Sequence, residues 1–336
     1  MKAKKNTFWA LFFILLLGCA FKGSVCLMCA NRDYLPLLEK VISKSRKTLY
    51  ISELYFHEDH TTGRLIFLLN KAVDRGVDIK CILEDSISYN SGSVADLSRI
   101  GVQAKLDGED IFSHAKFIVA DGETVIVGST NLSETSMDRN NETNVLIKDK
   151  IIGGWFNEYF LAAWNGEKEP ESVSAGRFRM IASGKLSDTF VELFSTVRRR
   201  ILIIIYGIKI YPDEPDNPVM KVITSLADAQ KRGVKTEVVF EISDYNDTLN
   251  EMTKRAQEFF EKNGIRTFYE NRKTITHAKL VIADDSVVVG SSNWGYGGFK
   301  LYREANVLIK DKKLADKFEK YFEKVKQSGN YPQGGL

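Results

Sequence analysis

The chain has 336 residues, of which 44% are hydrophobic and 27% charged, with a formal net charge of +3. That composition excludes disordered, collagen-like and disulfide-dense classes, and the length admits two domains with full cores. Lys2, Lys4 and Lys5 supply the charge excess: from Cys19 onward basic and acidic residues balance at 44 each, without the basic excess typical of nucleic-acid proteins. Arg198–Arg200 and Arg272-Lys273 read as solvated surface edges.

Residues 1–30 read as a leader. Three lysines precede the apolar run Phe8–Leu17, which suits a signal-peptide core and is short for a spanning helix. Leu16-Leu17-Gly18-Cys19 resembles a lipobox, making Cys19 a lipidation candidate. The rival is an uncleaved anchor continuing through Val25–Ala30. Either form places the body outside the cytoplasm, membrane-anchored or secreted, and meeting a membrane surface through its N-terminus. Cys26 and Cys29 read as leader residues or a small disulfide rather than a zinc pair, and Cys81 as a core residue.

The first half, 31–165, alternates helices and short apolar strands. Tyr34–Ser45 has helical period, Thr48–Phe56 reads as a strand, and Thr62–Ala72 as an amphipathic helix stopped at Arg75-Gly76. Val77–Leu83 is a buried strand, Ser93–Ile100 a helix and Gln103–Leu106 a strand. A hairpin follows through Phe117–Ala120, the Asp121-Gly122 turn and Thr124–Val127. Val145–Ile147 is a strand and Ile151–Trp164 a helix.

Residues 166–183, rich in Gly, Ser and Glu, read as a linker. The second half, 184–328, repeats the order. Asp188–Arg199, Pro218–Gln230, Leu249–Lys262 and Lys313–Gln327 are helices. Ile201–Ile208, Thr236–Phe240, Thr267–Tyr269, Leu280–Ala283 and Val287–Val289 are strands. The pattern predicts an α/β fold of two similar domains, each a mixed sheet flanked by helices.

The halves also share a constellation of polar residues. His114-Ala115-Lys116 is followed by Asp121, Gly128, Ser129, Asn131 and Glu142. His277-Ala278-Lys279 is followed by Asp284, Gly290, Ser291, Asn293 and Glu304, about 160 residues later. Asn144–Lys150 recurs letter for letter at Asn306–Lys312. On a strand, His114 and Lys116 share a face, and the hairpin returns Ser129 and Asn131 beside them. A duplicated half-site of this kind predicts one centre where two domains meet.

These two sites resemble the His-x-Lys-x4-Asp signature of the phospholipase D superfamily, with its Gly-Ser-x-Asn. The resemblance covers about residues 31–328 and implies two domains related by pseudo-two-fold symmetry. It implies phosphodiester chemistry in which one histidine becomes phosphorylated and the other protonates the leaving oxygen. By analogy His114 is named as the nucleophile. Lys116, Lys279, Asn131 and Asn293 would hold the phosphate oxygens, while Glu142 and Glu304 set the imidazole tautomers. Asp121 and Asp284 look structural, with Ser129 and Ser291 in support. No metal or other cofactor is implied, because the lysines supply positive charge, and one chain would act as a monomer.

The superfamily spans lipid and nucleic-acid substrates. The leader and the balanced charge favour a phospholipid, hydrolysed or transferred. An exported endonuclease is the alternative, with nucleic acid as partner, and a non-catalytic binding protein is a weaker third. His57 and His60 read as a polar loop rather than a metal site. The aromatics of Trp294–Phe299 suit either gripping a substrate or packing. Sequons at Asn131, Asn141 and Asn246 read as chance.

Overall fold

The computed structural model describes residues 24–108 and 110–329. Two sheets carry the chain. In the first, β2 (Thr48–Glu53), β3 (Asp78–Leu83) and β4 (Gln103–Leu106) run parallel, joined by helices α2 (His60–Asp74) and α3 (Asn90–Arg99). The antiparallel strands β5 (Phe117–Ala120), β6 (Thr124–Gly128) and β7 (Thr143–Lys148) complete its centre. The second sheet repeats this plan. Its strands β10 (Arg200–Ile205), β11 (Lys235–Phe240) and β12 (Arg266–Tyr269) are parallel, and β13 (Lys279–Ala283), β14 (Ser286–Gly290) and β15 (Asn306–Lys310) antiparallel. The apolar runs seen in the sequence therefore become strands covered on both faces.

Two boundaries differ from the sequence reading. Residues 25–30, assigned above to the leader, form strand β1 (Val25–Ala30), which pairs antiparallel with β7. Residues 173–181, assigned to the linker, form β8 (Val173–Ala175) and β9 (Phe178–Ile181), and β9 pairs antiparallel with β15. The repeat explains both. Each half opens with a strand that closes the edge of its own last strand, and neither strand is long enough to show its pairing in the sequence. Cys26 and Cys29, three apart on β1, fall on opposite faces and pack against different cores. They cannot form a disulfide with each other, and both are free, as is Cys81. Residues 1–23, with the proposed cleavage and lipidation site at Cys19, lie outside the described residues. Among those described, no helix is long and apolar enough to cross a membrane.

The outer face of the first sheet is covered by α1 (Tyr34–Lys44), α2 and α3. That of the second is covered by α5 (Leu186–Thr196), α6 (Pro218–Lys231) and α7 (Asp247–Lys262). Local signals set these helices: Asp59 and Thr62 form a reciprocal cap on α2, and Asn217 with Pro218 opens α6. The inner faces share one core with α4 (Lys150–Asn165) and α8 (Lys312–Ser328). Phe156, Tyr159 and Phe160 of α4 and Phe318, Tyr321 and Phe322 of α8 are all buried there. The common core locks the two halves together, so the seam between them has a defined geometry.

Candidate active site

The two histidines sit on that seam. His114 and Lys116 lie just before β5, and His277 just before β13 with Lys279 as its first residue. The sequence reading put His114 and Lys116 on the strand itself. Lys116 still accepts the Gly128 amide of β6 at 3.2 Å, but by His114 the chain has left its sheet and its backbone bonds to the opposite half. Ser113 bridges to Arg303, and Thr276 to Asn141. The His114 amide donates to the Arg303 carbonyl at 2.9 Å, and the Asn141 amide to the Ile275 carbonyl at 2.8 Å.

This crossing decides which glutamate serves which histidine. Nδ1 of His114 lies 3.0 and 3.1 Å from the two carboxylate oxygens of Glu304, 190 residues away. Nδ1 of His277 lies 3.1 Å from both oxygens of Glu142. A carboxylate only accepts, so each Nδ1 carries the proton and each Nε2 keeps a free lone pair. The glutamates are fixed in turn. Ser129 Oγ donates to Glu142 at 2.5 Å, and Ser291 Oγ donates to Glu304. Each serine also accepts a backbone N–H at 2.9 Å, from Thr143 or Ala305.

Four further residues that the sequence analysis did not single out support this frame. Tyr159 of α4 donates to the Glu304 carbonyl at 2.9 Å, and Ser183 Oγ accepts the Glu304 amide at 3.0 Å. In mirror fashion Asn31 Oδ1 accepts the Glu142 amide and the Tyr321 hydroxyl, both at 2.9 Å. A tyrosine from the last helix of each half therefore clamps a glutamate of the other. Only the duplication, with tyrosines at matched places in the two last helices, could have hinted at them.

Both lysines are buried, and each Nζ donates to the carbonyl of its own motif histidine at 2.7 Å. Burial pushes Lys116 down to about 8 and Lys279 down to about 7; nearby Glu304, Glu53 and Glu142 resist this for Lys116, and Glu142 resists it for Lys279. Burial also drives His114 down to about 4 and lowers His277; their glutamates pull the other way, and the lysines of both halves add to the lowering. Each histidine feels the opposite half's lysine, so the motifs form one electrostatic centre. Burial would raise Glu304, yet His114, Lys116 and Ser291 hold it below its usual range. Asn131 and Asn293 are near the same centre in sequence, and each has a buried, unpartnered side-chain oxygen.

Asp121 and Asp284 stand apart from this centre. Each occupies a left-handed turn, with φ of 55° and 50°. Asp121 accepts the backbone amides of Arg46, Lys47 and Thr48, and Asp284 those of Arg198, Arg199 and Arg200. Each aspartate thus ties its hairpin to the start of the neighbouring strand, β2 or β10. Gly128 and Gly290 allow close approach: a Cβ there would overlap Asn144 or Asn306 and a neighbouring carbonyl.

The remaining candidates resolve into structure. Trp294 and Phe299 are buried in the outer core of the second half, leaving Tyr296 exposed. Asp59, between His57 and His60, caps α2. Asn246 caps α7 by accepting the Leu249 amide, and Asn131 is buried. Among the described residues one acidic group, Glu84, Asp85 and Asp107, has ligand atoms within 4.8 Å of one another. It contains neither His57 nor His60.

Comparison with known proteins agrees with this geometry. Residues 38–164 and 190–326 match the family model "Cardiolipin synthase, PLD-like domain". The chain therefore belongs to the phospholipase D superfamily, with the domain present twice. It is 22% identical over 352 aligned residues to "Probable cardiolipin synthase YwiE" of Bacillus subtilis (strain 168), covering 91% of this chain and 66% of that one. It is 26% identical over 153 residues to "Mitochondrial cardiolipin hydrolase" of Mus musculus, covering 45% of this chain and 67% of that one. The chain thus spans about two thirds of the length of these relatives. The crystal structure of phosphatidylserine synthase from Haemophilus influenzae Rd KW20 has the same fold, with a TM-score of 0.69 at 13% identity over 91% of this chain and 86% of that one.

Proposed function

We propose that this protein is a phosphodiester-transferring enzyme that works through a covalent phosphohistidine, with a phospholipid as substrate. The crossed pairs His114–Glu304 and His277–Glu142 carry the reading, because they present two neutral imidazoles beside two buried lysines. Nε2 of His114 attacks phosphorus; a P–N bond forms and the P–O bond to the leaving group breaks. His277, the more exposed ring at 13% against 9%, takes a proton from solvent as the phosphate's charge arrives. It passes that proton to the leaving oxygen. The same ring then removes a proton from water or an alcohol, whose oxygen attacks phosphorus and breaks the P–N bond. Lys116, Lys279, Asn131 and Asn293 hold the non-bridging oxygens, where negative charge grows.

The lipid reading is supported by the wall beside His114. Phe112 lies 6.1 Å from the His114 ring, nearly parallel to it, and 4.8 Å from Tyr302. A pocket of about 380 Å³ continues from there, lined by Ile111, Leu301 and Tyr302 with Lys168, Lys185 and Lys300. Glu167, Glu169 and Glu171 line it too, and Lys168 pairs with Glu171 at 2.9 Å, so the wall offers an amphiphile apolar contact beside a mixed-charge rim. The names of the relatives, cardiolipin synthases and a cardiolipin hydrolase, point the same way.

The test is the full-length chain assayed in EDTA on anionic phospholipid vesicles and on single-stranded DNA side by side. Lipid turnover without DNA cutting is expected; DNA cutting alone would establish the endonuclease instead. An acid-labile phosphoryl adduct, trapped by rapid quench and mapped to a histidine, is expected with either substrate. The leader is proposed to place this enzyme on the extracytoplasmic face of a membrane through Cys19. Cys19→Ala is expected to release it from the membrane fraction.

A further inference from the structure

Outside the residues used above, four buried or half-buried acids stand at matched places in the two halves. Glu84 directly follows β3 and Glu241 directly follows β11; Asp107 follows β4 and Glu270 follows β12. All four therefore gather at the carboxyl ends of the parallel strands. Glu84 accepts the Ser113 amide at 2.5 Å, and Glu241 accepts the Thr276 amide at 2.5 Å. Ser113 and Thr276 are the residues immediately before the two motif histidines, so the same bond is made twice.

We infer that Glu84 and Glu241 are positioning residues, each holding the backbone in front of one candidate catalytic histidine, with Asp107 and Glu270 steadying them from the neighbouring strand. This rests on the active-site reading above. The carbonyl side of each segment is already tied across the seam through Arg303 and Asn141. The carboxylate supplies the remaining donor's partner, so the histidine is held from both its own half and the other. A buried amide left without that acceptor would shift toward water and carry the ring with it.

The second acid of each pair fits the same role. Asp107 accepts the Asp85 amide at 3.0 Å, and burial and the facing Glu84 push its carboxyl up to about 7. Glu270 accepts from Asn141 and Ser328, and burial pushes it up to about 7, while burial and the nearby Glu270 raise Glu241 to about 8. Asp107 and Glu270 therefore hold a proton more readily than exposed carboxyls do, which eases repulsion against the acid each one faces.

The chain has four histidines, so histidine-labelled full-length protein gives four resolvable ring signals by NMR. Glu84→Met keeps the volume but removes the acceptor. It is expected to move the His114 ring signals and spare those of His277, whereas Glu241→Met does the reverse. On a short soluble phosphodiester, kcat is expected to fall at least tenfold with KM changed less than twofold. Glu84→Gln and Glu241→Gln, which restore an acceptor, should recover kcat to within threefold. Ring signals that stay put, or that move equally at both histidines, would overturn the inference. Should a Met variant fail to fold, the unaltered protein decides: Ser113 and Thr276 amides that exchange as fast as loop amides would also overturn it. Ring shifts in a protein inactive on every diester would instead count against the proposed function and leave the positioning role standing.

Discussion

The two halves share a frame and differ in what lines it. Aligning β2 with β10 sets Glu53 against Ile205 and Leu54 against Tyr206. Glu53 is buried with neither carboxylate oxygen partnered, near Lys116. In the other half, Tyr206 packs edge-on to His277 at 4.8 Å and lies 5.0 Å from the Lys279 ammonium. Phe112 precedes the first motif where Ile275 precedes the second. The shared frame brings two imidazoles, two lysines and two glutamates together. The unequal lining gives two copies of one motif different environments, the condition under which the proposed mechanism assigns them different roles.

The strongest way to break that comparison is to remove the histidines. His114→Ala and His277→Ala are each expected to lower kcat by about 10,000-fold on any diester substrate. Only His277→Ala should still accumulate a phosphoryl adduct when the substrate has a good leaving group. An adduct in His114→Ala alone would reverse the assigned roles.

Glu304→Gln and Glu142→Gln come next, with kcat falling about 1,000-fold through loss of the imidazole tautomer. The crossing predicts that Glu304→Gln perturbs the ring of His114, in the other half, and not that of His277. Ring NMR reads this directly, and a response confined to the nearer motif would defeat the crossed arrangement.

The lysines sharpen the comparison through pH. In the free enzyme, kcat/KM requires charged lysines, so it is expected to fall as pH rises through about 7 to 8, where Lys279 and Lys116 lose protons. On the acid side the limb of His114 lies near 4. A profile flat to pH 10 would contradict this. Lys279 has a folded pKa below its unfolded value, so its charge costs stability below about pH 7 and less as pH rises. Lys279→Met is therefore expected to abolish turnover and to flatten the rise of unfolding free energy with pH above about 7, measured by urea denaturation.

The smallest effects belong to the motif aspartates. Asp121→Ala or Asp284→Ala releases three backbone amides each and is expected to cost about 2 kcal/mol of stability. Initial rates at a temperature where the protein stays folded should change less than threefold. A large loss of kcat without unfolding would place these aspartates in the chemistry instead.

The matched His-x-Lys, Gly-Ser-x-Asn and trailing glutamates were legible in the amino-acid order, as were the apolar strands, the helices between them and the duplication. These are local or periodic patterns, carried by residue type and spacing alone. Strands β1 and β9 escaped because the last strands of their halves, with which they pair, lie more than 100 residues away, and a strand of four to six residues looks like leader or linker without them. Tertiary structure alone decided that Glu304 serves His114 and Glu142 serves His277, that Tyr159 and Tyr321 clamp those glutamates, and that Glu84 and Glu241 meet the backbone before each histidine. All are contacts across a packed core, and sequence spacing carries no information about which groups a shared core brings within 3 Å.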